Sequence, residues 1–187
     1  MGRESWTNRI TVERCLTVDV FWLRKNDYFC GFRSGGIVWR SASGEETNSI
    51  CVDVLVNREI IGEEYVRFNY SSTNRVTGEK KYLDYKVQLE RTPCYFGGFR
   101  YWFTCPLVIN NIPCGRRVGK LYLPPGGIYF GCRHCYDLTY RSCQEHDKRV
   151  DWMRKLDPDS LKRILKSGDP KTSLLGVKAF FKNWKIF

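Results

Sequence analysis

The chain of 187 residues is long enough for one domain of ordinary size or two small ones. Hydrophobic residues make up 42% and aromatic residues 15% of it, which excludes a largely disordered chain. The net charge of +11 is unevenly placed: residues 1–90 contain thirteen basic and thirteen acidic residues, residues 91–140 contain six and one, and residues 141–187 contain twelve and six. This distribution favours a neutral scaffold that carries a basic region able to bind a polyanion such as nucleic acid. The alternative is a basic surface that is only solvated.

Two short helices are predicted at the start, at about residues 12–15 and 18–25. Thr11 and Thr17 are hydroxyl residues suited to cap their N-termini, and an acidic residue follows each in the first turn. Two helices ahead of strands would also allow a winged helix–turn–helix. The balanced charge of this half argues against it as a DNA reader.

Strand patterns dominate from residue 36 onward, and turn residues separate them. Apolar residues alternate with polar ones, which predicts an antiparallel meander with one buried face. Residues 1–91 are therefore predicted as a helix-led antiparallel scaffold, and residues 92–98 as its link to the next segment. The predicted strands are 37–39, 48–56, 65–70 and 82–89.

Four cysteines in residues 92–143 form two pairs. Eight residues lie between Cys105 and Cys114, two lie between Cys132 and Cys135, and seventeen separate the pairs. Each pair can offer two thiolates from one short loop, and four thiolates in a tetrahedron are the usual ligands of structural zinc. The predicted cofactor is one structural Zn²⁺.

Buried or disulfide-bonded cysteines are the alternative to this metal site. The total of nine cysteines is odd and no signal peptide is visible, so we expect a cytoplasmic protein with reduced thiols. The Cys105–Cys114 spacing exceeds the usual two to four residues, so its loop must bulge. Cys94 or Cys143 could replace Cys105, and His134 is a weaker substitute whose side chain is expected to point away.

The residues between the two cysteine pairs predict a hairpin, with a strand at 117–123, a turn at 124–127 and a return strand at 128–131. Gly126 suits the positive φ that a type II turn requires at its third residue. Residues 99–103 are predicted as the first strand of the module. Two metal-binding loops joined by a hairpin make a zinc ribbon, and an α+β fold follows from its combination with the scaffold.

Residues 144–187 are predicted as a basic helical tail. One helix is expected at about 144–156, and a second starts at the sequence Asp-Pro-Asp at 157–159 and ends at Gly168. Apolar residues then recur at helical spacing within 173–187, where they either pack on the protein itself or face a protein partner.

Basic residues and tyrosines are interleaved around the cysteine pairs. Cations beside aromatic rings can neutralise phosphates and stack on unpaired bases. The alternative is that the cations are only solvated and the tyrosines pack the ribbon. The predicted nucleic-acid contacts are Arg100, Arg116, Arg117, Lys120, Arg133, Arg141 and Tyr129.

Catalysis is not predicted. The chain has two histidines, scattered acidic residues and no phosphate-binding glycine loop, and a four-thiolate site leaves no position for an activated water. We therefore expect a non-catalytic protein that binds DNA or RNA through the ribbon and the C-terminal region. The alternative is a protein–protein adaptor that docks on a larger nucleic-acid-processing or defence complex through residues 173–187. No membrane association is predicted.

The ribbon also carries a resemblance. The segments GGFRYWFTCP (97–106), CGRRVGKLYLPPGG (114–127) and YFGCRHCYDLTY (129–140) resemble a family of uncharacterised bacterial zinc-ribbon proteins associated with prophages and other mobile elements. The resemblance implies zinc on the four cysteines and a role in a mobile element, and it implies no known activity. Members have a compact Cys-Pro-x-Cys first loop, which is lengthened here.

Overall fold

The computed structural model describes residues 9–57, 62–73 and 78–144, with further short stretches up to residue 177. One compact unit spans Thr7–Tyr140, and the other includes Arg141–Phe187. Of the second unit, helices Arg141–Gln144 and Pro158–Lys166 are described. Most of the predicted tail at 144–187 lies outside the described residues. In the described part, no helix has the length and apolar character to cross a membrane.

The first unit is built mainly from antiparallel β-strands. The six strands β2–β6 and β9 form its main sheet in the order β2-β3-β4-β5-β6-β9, β1 pairs with β10, and β7 pairs with β8. The strands are β1 (Leu16–Asp19), β2 (Phe32–Arg40), β3 (Glu46–Leu55), β4 (Tyr65–Thr73), β5 (Lys80–Pro93), β6 (Phe99–Thr104), β7 (Val108–Ile109), β8 (Ile112–Pro113), β9 (Arg117–Val118) and β10 (Lys120–Leu123).

The predicted meander is confirmed, and its alternation places one face inward. Val52, Val54, Val66 and Phe68 have no exposed surface, because successive side chains of a strand point to opposite faces and these four share the covered one. On β5 the polar residues that alternate with Leu83, Val87 and Leu89 are exposed. The sheet therefore buries one face and leaves the other open to solvent.

The start of the chain differs from the prediction. A short 3-10 helix covers Val12–Arg14, but residues 16–19 form β1, and the next helix, α1, spans Val20–Lys25. Its N-cap is Asp19, whose carboxylate accepts a 2.8 Å hydrogen bond from the backbone N–H of Phe21, so Thr17 is not a cap. The strand forms because β10 offers a pairing partner over all four residues.

The hydrophobic core contains both the sheet and Phe130, which follows the turn at residues 124–127. Phe130 is completely buried, and its ring lies 5.2 Å from Phe68 and 5.7 Å from Tyr70 between ring centroids. Its backbone N–H donates to the hydroxyl of Tyr85 at 2.9 Å. The division predicted between residues 91 and 92 falls inside β5, and residues on both sides of it belong to one core.

The hairpin predicted between the cysteine pairs is present only in part. The Pro124–Gly127 turn is a type II turn as predicted: Gly126 has φ +81°, and Gly127 N–H donates to Pro124 O at 2.9 Å. However, residues 128–130 do not form a strand, and Gly131 makes only an isolated bridge to Tyr122 across this turn. The strand predicted at 117–123 is split at Gly119, since β9 pairs with β6 and β10 pairs with β1.

Candidate functional site

The long Cys105–Cys114 loop contains a small β-hairpin. Strands β7 and β8 pair with each other, and the two residues that join them, Asn110 and Asn111, both have positive φ, at 51° and 63°. This is the backbone of a two-residue type I′ turn, which asparagine tolerates well. At the base of the hairpin, Cys114 N–H donates to Leu107 O at 2.8 Å. The hairpin is thus an insertion into a loop that would otherwise be Cys-Pro-Leu-Cys.

The four paired cysteines lie together. Their sulfur atoms are all within 4.8 Å of one another, with Sγ–Sγ distances of 3.7 Å for Cys105–Cys135, 3.9 Å for Cys114–Cys132 and 3.4 Å for Cys132–Cys135. Cys105 and Cys132 are buried, and the other two are half-buried. These four thiols could hold one metal ion.

Backbone N–H groups surround the sulfur atoms. Cys132 N–H donates to the Cys105 sulfur at 3.3 Å, and Cys135 N–H donates to the Cys132 sulfur at 3.4 Å. Burial raises the pKa of Cys105 to about 11. Burial also acts to raise the pKa of Cys114, but hydrogen bonds from Arg116 N–H and from the neighbouring thiols lower it overall. A cation among the sulfurs would remove the cost of ionising buried thiols, and the N–H groups would support the thiolates.

The close fit between the two cysteine loops depends on a glycine. An ideal Cβ built at Gly131 would lie 2.1 Å from a methyl carbon of Leu107, the residue before the inserted hairpin. A larger residue at position 131 would therefore require the Leu107 side chain to move.

The substitute ligands considered from the sequence do not join this cluster. Cys94 lies in the tight turn between β5 and β6, and Cys143 lies in the helix of the other unit. His134 is exposed, as expected for a side chain between two ligands that points away from them. Within the described residues, the sulfur cluster consists of the four predicted cysteines.

Two of the predicted nucleic-acid contacts meet on the open face of the sheet. The guanidinium carbons of Arg100 and Arg117 lie 5.8 Å and 5.6 Å from the ring centroid of Trp102, within the range of cation–π contact. The ring of Phe21 packs edge-on against Trp102 at 6.3 Å, and the Trp102 indole N–H donates to the Thr92 hydroxyl at 3.1 Å. We call Arg100, Trp102 and Arg117 the arginine–tryptophan cluster.

The other predicted contacts do not join the arginine–tryptophan cluster. Lys120 forms an ion pair with Asp19 at 3.1 Å, and Arg133 lies 5.1 Å from the ring centroid of Tyr140. Arg116 is exposed beside the four cysteines, where its carbonyl accepts from Cys105 N–H. Tyr129 packs edge-on against Tyr85, and Arg141 begins a helix of the other unit.

Sequence analysis missed three aromatic residues of this region. Trp102 lies in the strand predicted at 99–103 and is not among the predicted contacts, but it lies between two arginines. Tyr95 and Phe96 were assigned to a linker, whereas they form the tip of a tight hairpin and are each 97% exposed. The signal was a pair of aromatic residues directly before two glycines, between two strand patterns.

Deletion of residues 108–113 should leave the four-cysteine cluster, and any metal it binds, intact. The hairpin base is already closed by the hydrogen bond between Cys114 and Leu107, and the shortened loop would have the two-residue spacing of a compact metal-binding loop. We expect the deletion variant to bind the same amount of metal per chain as the intact protein, measured by elemental analysis. Loss of the metal would show that the hairpin helps to position Cys114.

Comparison with known proteins gives no relative. No family model, no curated protein and no solved structure matches the chain.

Proposed function

We propose that the four cysteines bind one structural Zn²⁺ ion. Four ligands at the usual Zn–S distance of about 2.3 Å place the sulfurs about 3.8 Å apart at the corners of a tetrahedron. Three of the sulfur–sulfur separations, at 3.4 Å, 3.7 Å and 3.9 Å, lie near that value. All four positions of the ion would be filled by sulfur, which suits a structural role and not the activation of water.

We further propose that the protein binds nucleic acid without catalysis, through a surface centred on the arginine–tryptophan cluster. The observation that carries this proposal is that two exposed arginines converge on one indole ring, and neither lies at ion-pair distance from an acidic side chain of the described chain. Unpaired guanidinium groups beside an aromatic ring favour phosphate binding with stacking.

The metal site supports this surface directly. Arg117 follows Cys114 by three residues, and Arg116 O accepts a 2.9 Å hydrogen bond from Cys105 N–H. A bound ion would thus hold the strand that presents Arg117 to Trp102. The basic C-terminal region would extend the polyanion contact, and the role in a mobile element implied by the family resemblance stays a prediction.

The double variant Arg100→Glu/Arg117→Glu should bind nucleic acid much more weakly. Loss of two phosphate contacts should reduce the slope of log affinity against log salt by about 2, in addition to the repulsion that the new acids introduce. Fluorescence anisotropy with labelled DNA and RNA, single and double stranded, from about 50 mM salt upward, measures both quantities.

The matched control is Arg33→Glu/Lys81→Glu. It changes the net charge by the same amount at exposed positions of the charge-balanced half. Equal losses in the two variants would indicate a nonspecific charge effect, and unchanged binding of Arg100→Glu/Arg117→Glu would refute this surface.

A second role, docking on a larger complex, is favoured by the inserted hairpin. Val108, Ile109 and Ile112 are 59%, 44% and 70% exposed, although they are apolar. Residues 173–187, predicted as the docking segment, lie mostly outside the described residues, and Leu174 and Val177 among them are exposed. If docking is the role, the 108–113 deletion should keep its metal and lose its protein partner.

A further inference from the structure

Two aromatic side chains extend into solvent at the turn between β5 and β6. Tyr95 and Phe96, which we call the aromatic tip, are each 97% exposed, and their ring centroids lie 5.2 Å apart in an edge-on pair. Because both rings are exposed, neither contributes to the described hydrophobic core. Such a pair is expected where a protein meets a ligand with flat apolar faces or an apolar surface.

Backbone hydrogen bonds and two glycines shape this tip. Gly97 N–H donates to Cys94 O at 3.0 Å, and Cys94 N–H donates to Gly98 O at 3.1 Å. Both glycines have positive φ, at 85° and 77°, which other residues adopt only with strain. The rings are therefore carried by a tight hairpin end and not by a long linker.

A depression with aromatic walls lies beside the tip. It has a volume of about 380 Å³, within the usual range for a small-ligand site. Phe29, Phe99, Tyr101, Arg24 and Asp27 line it. Phe29 and Tyr101 are buried and pack on each other, so Phe99, which is 41% exposed, supplies its open aromatic surface. An unpaired nucleotide suits the same combination, since it offers two flat base faces, hydrogen-bond donors and a phosphate.

Cations flank this hairpin end on both faces of the sheet. Phe99 and Tyr101 point to one face with Arg24, whereas Arg100 and Trp102 alternate with them and point to the other. Within the described chain, no acidic side chain lies at ion-pair distance from Arg24 or Arg100. This charge complements a phosphate backbone that passes over the hairpin, and it favours nucleic acid over an apolar protein groove.

We propose that the β5–β6 hairpin end is a binding site for the unpaired nucleotides of single-stranded nucleic acid. Bases stack on the rings of Tyr95 and Phe96, one base enters the depression beside Phe99, and Arg24 and Arg100 contact phosphates. This inference rests on the proposed nucleic-acid binding and adds the form of the ligand. A duplex keeps its base faces stacked inside, so only an unpaired strand can use the aromatic tip.

The test compares Tyr95→Ala/Phe96→Ala with the unaltered protein on two probes, an oligothymidine or oligouridine of about 12 nucleotides and a duplex of equal length. We expect single-strand binding to weaken at least about tenfold, because each stacked ring contributes substantially, and duplex binding to be unchanged. Both rings are exposed, so the metal content and thermal midpoint should not change. The control is Tyr82→Ala, which removes a 77% exposed ring elsewhere on β5.

Each other outcome overturns the inference. If the unaltered protein binds nucleic acid and the double variant binds as well, the proposed function stands and the aromatic tip is not its site. Equal losses on both probes would make the tip a duplex contact. No binding by the unaltered protein to either probe would refute the proposed function as well.

Discussion

Replacement of Cys132 by serine should release the metal and strongly destabilise the whole unit of residues 7–140, not the ribbon alone. Cys132 is completely buried, and Phe130, two residues before it, packs in the core of the six-stranded sheet. Structural zinc contributes about 10–16 kcal/mol in zinc-finger peptides, which matches or exceeds the total stability of about 5–15 kcal/mol of a typical domain. A fall of the thermal midpoint by more than about 15 °C is expected.

Elemental analysis and thermal unfolding followed by circular dichroism check this expectation. The control is Cys51→Ser, since Cys51 is exposed on β3 and lies outside the sulfur cluster. Both variants lose one thiol, but only Cys132→Ser should lose metal and stability. Retention of one ion per chain with an unchanged midpoint in Cys132→Ser would exclude the four-cysteine site.

The second large effect is expected for Phe130→Ala. The ring has no exposed surface and packs among Phe68, Tyr70 and Trp39, with the Trp39 centroid at 6.3 Å. Removal of a buried phenylalanine ring leaves a cavity and costs about 3–5 kcal/mol. The free energy of unfolding in urea should fall by this amount, whereas the metal should stay bound under native conditions because the sulfur atoms are not altered.

The same substitution at a solvent-exposed position gives the control. Phe96→Ala removes a ring that is 97% exposed, so its effect on the free energy of unfolding should stay within about 0.5 kcal/mol. A loss below about 1 kcal/mol for Phe130→Ala would contradict the packing of residues 128–131 on the sheet.

The parts of the fold that follow from short-range alternation could be predicted from the sequence. Period-two patterns are sufficient to identify β3, β4 and β5 and to assign Val52, Val54 and Phe68 to the buried face. The type II turn at Gly126 follows from local stereochemistry. The four cysteines could be grouped by their spacing, since two close pairs are typical of one metal site.

Features set by distant partners could not be predicted in this way. Thr17 and Asp19 both have the chemistry of a helix cap, and only pairing with β10 places Thr17 in a strand. Likewise, nothing local shows that residues 128–131 lie over the sheet instead of returning as a strand. The inserted hairpin did have a local signal, because two asparagines between β-branched residues are typical of a tight turn.

The self-contained hairpin between Leu107 and Cys114 also makes this loop an entry point for engineering. Its ends are already joined by a backbone hydrogen bond of 2.8 Å, so a foreign segment that starts and ends at the same separation would leave the surrounding geometry undisturbed. An epitope or a fluorescent label grafted in place of residues 108–113 would report on the protein inside a cell from a position beside its sulfur cluster.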